Sequence, residues 1–117
     1  MKATLILMSD SHGYNEPVTE LIRMYPKADA YIHCGDICED LNSFPLLTAV
    51  KGNNDYGINL PNELIIHIGG IGIYVVHSHR IYSWDRHGQL AMMAKEKGCQ
   101  MTGTEDINIE RLNVLDF

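Results

Sequence analysis

A chain of 117 residues with 45% apolar content can build one domain around a real core and leaves little room for a second. Its formal charge of −6, with no run of lysine or arginine, argues against a nucleic-acid partner, because phosphate-backbone binders carry a clustered basic face. Three cysteines, Cys34, Cys38 and Cys99, are odd in number and lack CxxC spacing, which speaks against a disulfide framework or a thiolate zinc site and suits a reducing cytosol. With no leader pattern and no bilayer-length apolar stretch, a soluble, cytoplasmic protein without a membrane partner is expected.

Thr4-Leu5-Ile6-Leu7-Met8 is short, bulky and without helical spacing, so it predicts a strand buried on both faces. The strand releases Asp10-Ser11-His12-Gly13, and in open α/β sheets the ligand crevice lies just beyond the carboxyl ends of strands. Asn15 and Pro17 then predict a helix start, with Asn as the cap and Pro in the first turn, where its missing N–H costs nothing. Val18, Leu21, Ile22 and Tyr25 give this helix one apolar face, and Pro26 stops it. Ala30 to Cys34 predicts a second buried strand, ending on Gly35-Asp36. A β-α-β order implies parallel strands and a right-handed crossover, which brings Asp10 and Asp36 to one rim.

Residues 41–47 predict a short helix broken at Pro45, and a third strand, Thr48 to Lys51, delivers Gly52-Asn53-Asn54-Asp55. Any one of these endings is also ordinary turn chemistry; three in succession, each with a nearby glycine, predict a shared site. Glu63 to Ile68 and Ile71 to His77 flank Gly69-Gly70 as an antiparallel hairpin, whose second strand ends in His77-Ser78-His79. His67 is expected to be packed or exposed rather than a ligand, and His33 to hydrogen-bond behind the Asp36 loop. A helix is predicted from about His87 to Lys97, with Leu90, Met93 and Ala94 on one face and Gly98 as its stop, and a further strand begins within Cys99 to Met101. From Thr102 the pattern fits no single period, and no element is assigned.

Asp10, His12, Asp36, Asn53 and His77 are oxygen and imidazole donors, a mixture that suits Mn²⁺, Fe²⁺, Zn²⁺ or Ni²⁺ better than Ca²⁺ or Cu⁺. A carboxylate among them can bridge two ions roughly 3.5–4 Å apart, a spacing that serves in-line displacement at phosphorus.

Over about residues 2–101 the chain resembles the calcineurin-like metallophosphoesterase superfamily, in particular its small YfcE-like phosphodiesterases. The resemblance rests on Asp10-Ser11-His12-Gly13, Gly35-Asp36, Gly52-Asn53-Asn54-Asp55 and His77-Ser78-His79, in the family's order. It implies an α/β fold: a mixed two-sheet, four-layer sandwich flanked by helices, lacking the last strands, in a single domain over 1–117 with an atypical tail at 102–117. It further implies that Asp10 and His12 hold one divalent ion, Asn53 and His77 a second, and Asp36 bridges them. Mn²⁺ is the first candidate. The implied function is hydrolysis of a small phosphoester substrate, foremost a phosphodiester, by a metal-activated hydroxide.

Asn54 stands where many relatives carry a proton-donating histidine, and an amide cannot act as a general acid near neutral pH. Ser78 replaces a frequent glycine. On a regular strand His79 faces the same side as His77, so it is expected as a catalytic residue that contacts phosphate or orients a ligand, an exposed loop histidine being the alternative. The family's later Gly-His-x-His element has no counterpart, since no histidine follows His87. That implies one ligand missing from each metal, with Glu105 or Asp106 as the available substitutes. Impaired turnover, or a binding scaffold without catalysis, is the alternative function, together with a homo-oligomer formed through an uncovered sheet edge.

Overall fold

Alternation along β1 (Thr4–Met8) sets up the layers of the computed structural model, which describes residues 4–68, 70–77, 86–104 and 113–116. Leu5 and Leu7 project to one side, where with Ile32, Cys34 and Val50 they pack against Ile73 and Val75 of the second sheet. Ile6 and Met8 project to the other, onto Val18, Tyr31, Ile37, Phe44 and Leu47. Burying each such aliphatic side chain contributes about 1.5–3 kcal/mol, so β1, nearly sealed on both faces, is the strand that the fold can least spare.

α1 (Glu16–Met24) covers the outer face of the first sheet through Val18, Leu21 and Ile22. β2 (Ala30–His33) pairs parallel with β1, and β3 (Leu47–Ala49) pairs parallel with β2. A hairpin of β4 (Glu63–Ile68) and β5 (Ile71–Val76) opens the second sheet, with Ile66 opposite Ile73. α2 (Arg86–Glu96) crosses over its outer face, Leu90 and Ala94 packing on Tyr74 and Val76, and leads into β6 (Met101–Gly103), parallel to β5. The result is the four-layer α/β sandwich that the resemblance implied, with sheet orders β3-β2-β1-β7, where β7 is Asn113–Asp116, and β4-β5-β6. No helix among the described residues is long and apolar enough to cross a membrane.

Three expectations are corrected. Asn15 does not cap α1: its side chain makes no cap bond and instead reaches Ile37 and Glu39 across the loop. Residues 41–47 form only a 3₁₀ turn at Leu41–Ser43, capped by Asp40, before β3 starts early at Leu47. The tail that showed no period supplies β7 (Asn113–Asp116), antiparallel to β1 with Val114 opposite Ile6. Four residues are too few to show periodicity, and β1's free edge supplies the register. That flank of β1 is therefore covered, and self-association through an open edge gains no support there.

Candidate metal centre

The carboxyl ends of β1, β2 and β3 open onto one rim, as parallel pairing requires. Beyond β1 and β2 the two loops stay laced together: the amides of Asp10, His12 and Gly13 donate to the carbonyls of Gly35, Asp36 and Ile37 at 3.0, 2.8 and 2.9 Å. To keep that lacing while turning, Asp10, His12, Asp36 and Cys38 adopt φ of 56°, 50°, 62° and 58°. Such left-handed conformations cost residues with a Cβ roughly 1–2 kcal/mol each, and they concentrate where a surrounding structure over-determines them.

Asp10, Asp36 and His77 converge there, one ligand atom from each lying within 4.8 Å of the others. Asp36 Oδ2 is the common partner of both imidazoles, 3.6 Å from His77 Nε2 and 3.9 Å from His12 Nε2. His12 Nε2 also lies 3.6 Å from Asp10 Oδ1, and Asn53 Oδ1 lies 3.1 Å from His77 Nε2. Donors bound about 2.0–2.2 Å from one ion stand roughly 3–4 Å apart, and the four donor pairs just given fall in that range, from 3.1 to 3.9 Å. Nδ1 of His77 faces the Cys34 carbonyl at 3.1 Å; donating its proton there selects the tautomer that puts a lone pair on Nε2, the atom turned toward Asp36 and Asn53. Two glycines make room: a Cβ on Gly35 would stand 2.5 Å from His77 Nδ1, and one on Gly52 would collide with the Asp36 carboxylate and amide.

Burial raises the Asp10 carboxyl above its ordinary range, partly countered by the hydroxyl of Ser9, which donates to Oδ2 at 2.6 Å. Burial pushes Asp36 up as well, yet the Asn54 amide and side chain, donating to Oδ1 and Oδ2 at 2.8 and 3.1 Å, outweigh it, and with His77 and His12 they hold Asp36 below the usual carboxylate range. Behind the rim His33 is fully buried and is pushed down to about 4, chiefly by desolvation. Its Nδ1 accepts from the Gly35 amide at 3.2 Å, so Nε2–H faces Ser11 Oγ at 2.9 Å, and Ser11 donates onward to Asn15 Oδ1 at 2.5 Å.

Residues 3–106 match the calcineurin-like phosphoesterase superfamily domain. The chain belongs to that superfamily. It is 34% identical over 100 residues to a probable metallophosphoesterase of Methanocaldococcus jannaschii, covering 79% of this chain and 52% of that one. A conserved uncharacterized protein of Streptococcus pneumoniae, a predicted phosphoesterase, superposes with a TM-score of 0.77 at 30% identity, over 87% of this chain and 60% of its own. Zinc-complexed Vps29 of Entamoeba histolytica shares the fold at 17% identity and a TM-score of 0.66, over 86% of this chain and 62% of its own. The chain spans about half the length of the curated relatives it matches.

The superfamily's metal dependence agrees with a rim that gathers Asp10, His12, Asp36, Asn53 and His77. His79, Glu105 and Asp106 lie outside the described residues. β6 ends beside Val75 and leads into buried Thr104 near the strand end that carries His77. His67 is exposed on β4, and His33 hydrogen-bonds behind the loops as expected. Sequence reasoning missed the roles of Ser9, Ser11, Asn15 and Asp55, because serine, asparagine and aspartate in loops are ordinary turn residues and carry no distinguishing signal.

Proposed function

We propose that this chain is a metal-dependent phosphoesterase acting on small phosphodiesters at a two-ion centre, with Asp36 as the bridging carboxylate. The observation that carries this reading is that Asp36 Oδ2 lies within 4 Å of the Nε2 atoms of both His12 and His77. Asp10 and His12 would hold one ion, and Asn53 and His77 the other. Bound divalent ions supply Lewis acidity at the phosphoryl oxygens and lower the pKa of water. The chain's own part is to fix the donors: Asn54 orients Asp36 through two hydrogen bonds, and Cys34 orients His77. Because Asn54 offers no titratable proton, the leaving group departs without a general acid at that position, which favours esters of acidic alcohols. His79, two residues past His77, would contact the phosphate.

Elemental analysis of purified protein, beside hydrolysis of a bis-aryl phosphodiester with added Mn²⁺, Zn²⁺ or Ni²⁺, tests the reading. Metal binding with metal-stimulated turnover supports it; a protein that takes up none of these ions overturns it. A second reading, a binding scaffold with little turnover, is favoured by Asn54, which stands against the Asp36 carboxylate and offers no acidic proton to a leaving group. Metal uptake without hydrolysis would select it.

A further inference from the structure

Asp55 belongs to the Gly-Asn-Asn-Asp turn, yet it is not among the proposed ligands, and it is 1% exposed. Both of its carboxylate oxygens face backbone. Oδ2 accepts from the amides of Asp36 and Gly52 at 2.9 and 2.7 Å, and Oδ1 accepts from the amide of Cys38 at 2.7 Å. Two of these donors, Asp36 and Cys38, hold left-handed φ angles that a Cβ disfavours. In return, the Asp36 carboxylate accepts from the Asn54 amide and side chain. Each loop thus lends a carboxylate to the amides of the other, and the clasp includes the Asp36 carboxylate whose Oδ2 faces His12 and His77.

We propose that Asp55 is a positioning residue for the metal centre: by accepting the amides of Asp36 and Cys38 it maintains their left-handed turn and aims Asp36 Oδ2 toward His12 and His77. The inference rests on the metal reading above. A carboxylate is needed because three N–H donors converge on it, and charge-assisted acceptance is roughly twice as strong as neutral acceptance. An asparagine of equal size would turn an NH₂ toward at least one of those donors. The turn would then relax toward negative φ and carry Asp36 away.

Three measurements test it. Calorimetric titration with Mn²⁺ should show Asp55→Asn binding about 10–100-fold more weakly than wild type, the usual effect of losing support behind a ligand. Adding Cys38→Gly to Asp55→Asn should recover part of the lost affinity, since glycine takes positive φ without help. A merely structural role would lower the melting temperature with no such rescue. Amide exchange by NMR on metal-free wild type should find Asp36, Cys38 and Gly52 protected, a result that requires no variant to fold. Asp55→Asn with unchanged Mn²⁺ affinity, or fast exchange of those three amides, overturns the proposal alone. Wild type that binds no Mn²⁺ while keeping the amides protected removes the metal reading and, with it, the purpose assigned to the clasp.

Discussion

From Ser9 to Asp55 the loops beyond β1, β2 and β3 keep their shape through side chains that bond to backbone and through four non-glycine residues at positive φ. The β4–β5 hairpin keeps its shape by register and alternation, Leu64, Ile66 and Ile68 turning inward while Glu63, Ile65 and His67 face solvent. The rim has many constraints acting on few atoms, so a local change there should travel to the donors. The hairpin has one repeated constraint, so a local change should stay local.

The sharpest way to break this contrast is a methyl group placed on each side of it. Gly52→Ala drives a Cβ into the Asp36 carboxylate and amide, and should weaken Mn²⁺ binding by more than about 100-fold in calorimetry, beyond the effect of a lost supporting bond. An affinity within threefold of wild type would show that the rim yields after all.

Asp36→Asn comes next. Removing the charge of a carboxylate that faces both imidazoles should lower metal content more than His12→Ala, which touches one side of the centre. Equal metal content in wild type and Asp36→Asn, by elemental analysis, would sink the bridging role.

The buried network behind the rim makes the third prediction. His33 is held at about 4 against an ordinary value of 6.5, so the folded state favours the neutral ring. The unfolded chain takes up the proton first as pH falls, so this stabilisation is complete above about pH 6.5, is lost progressively toward pH 4, and amounts to something on the order of 3 kcal/mol. Urea denaturation at pH 7, 6 and 5 should show that decline in wild type and a shallower one in His33→Gln.

The hairpin supplies the two smallest effects. Gly70→Ala meets no atom within 4 Å, but its φ of 79° makes the turn strained, so it should cost about 1 kcal/mol in melting experiments and leave Mn²⁺ affinity unchanged. His67→Ala, on an exposed strand position, should stay within about 0.5 kcal/mol and bind metal as wild type does. A loss of metal binding in either would erase the distinction between the two regions.

The same contrast explains what could be read from the amino-acid order. β1, β2, the hairpin and α2 announce themselves because their stability comes from repeated apolar positions, and repetition is visible in one dimension. The donors Asp10, Asp36 and His77 were legible as strand endings that had to share a rim. Asn15 was misread as a cap because an Asn before Pro satisfies the local rule, whereas Ile37 and Glu39, more than twenty residues away, decide where its side chain goes. Asp55 was invisible for the same reason: its three partners are amides, and every residue except proline offers one. β7 lacked a period of its own and takes its place from β1.

β1 acquires its two neighbours at very different moments in the life of the chain. Its pairing with β2 closes about 25 residues, Leu5 to Ala30, whereas its pairing with β7 joins Thr4 to Asp116. On a ribosome adding roughly 5–20 residues per second, the most hydrophobic strand of the protein therefore waits many seconds with one edge unsatisfied. That interval, rather than the finished structure, is when aggregation competes best, because an unpaired apolar strand will accept any other as a partner. The high sequence separation also slows closure of the sheet, since a long loop must be ordered before its contacts repay the entropy. A pulse-labelled chain stalled before residue 113 should bind chaperones strongly, and release should coincide with emergence of Asn113–Asp116.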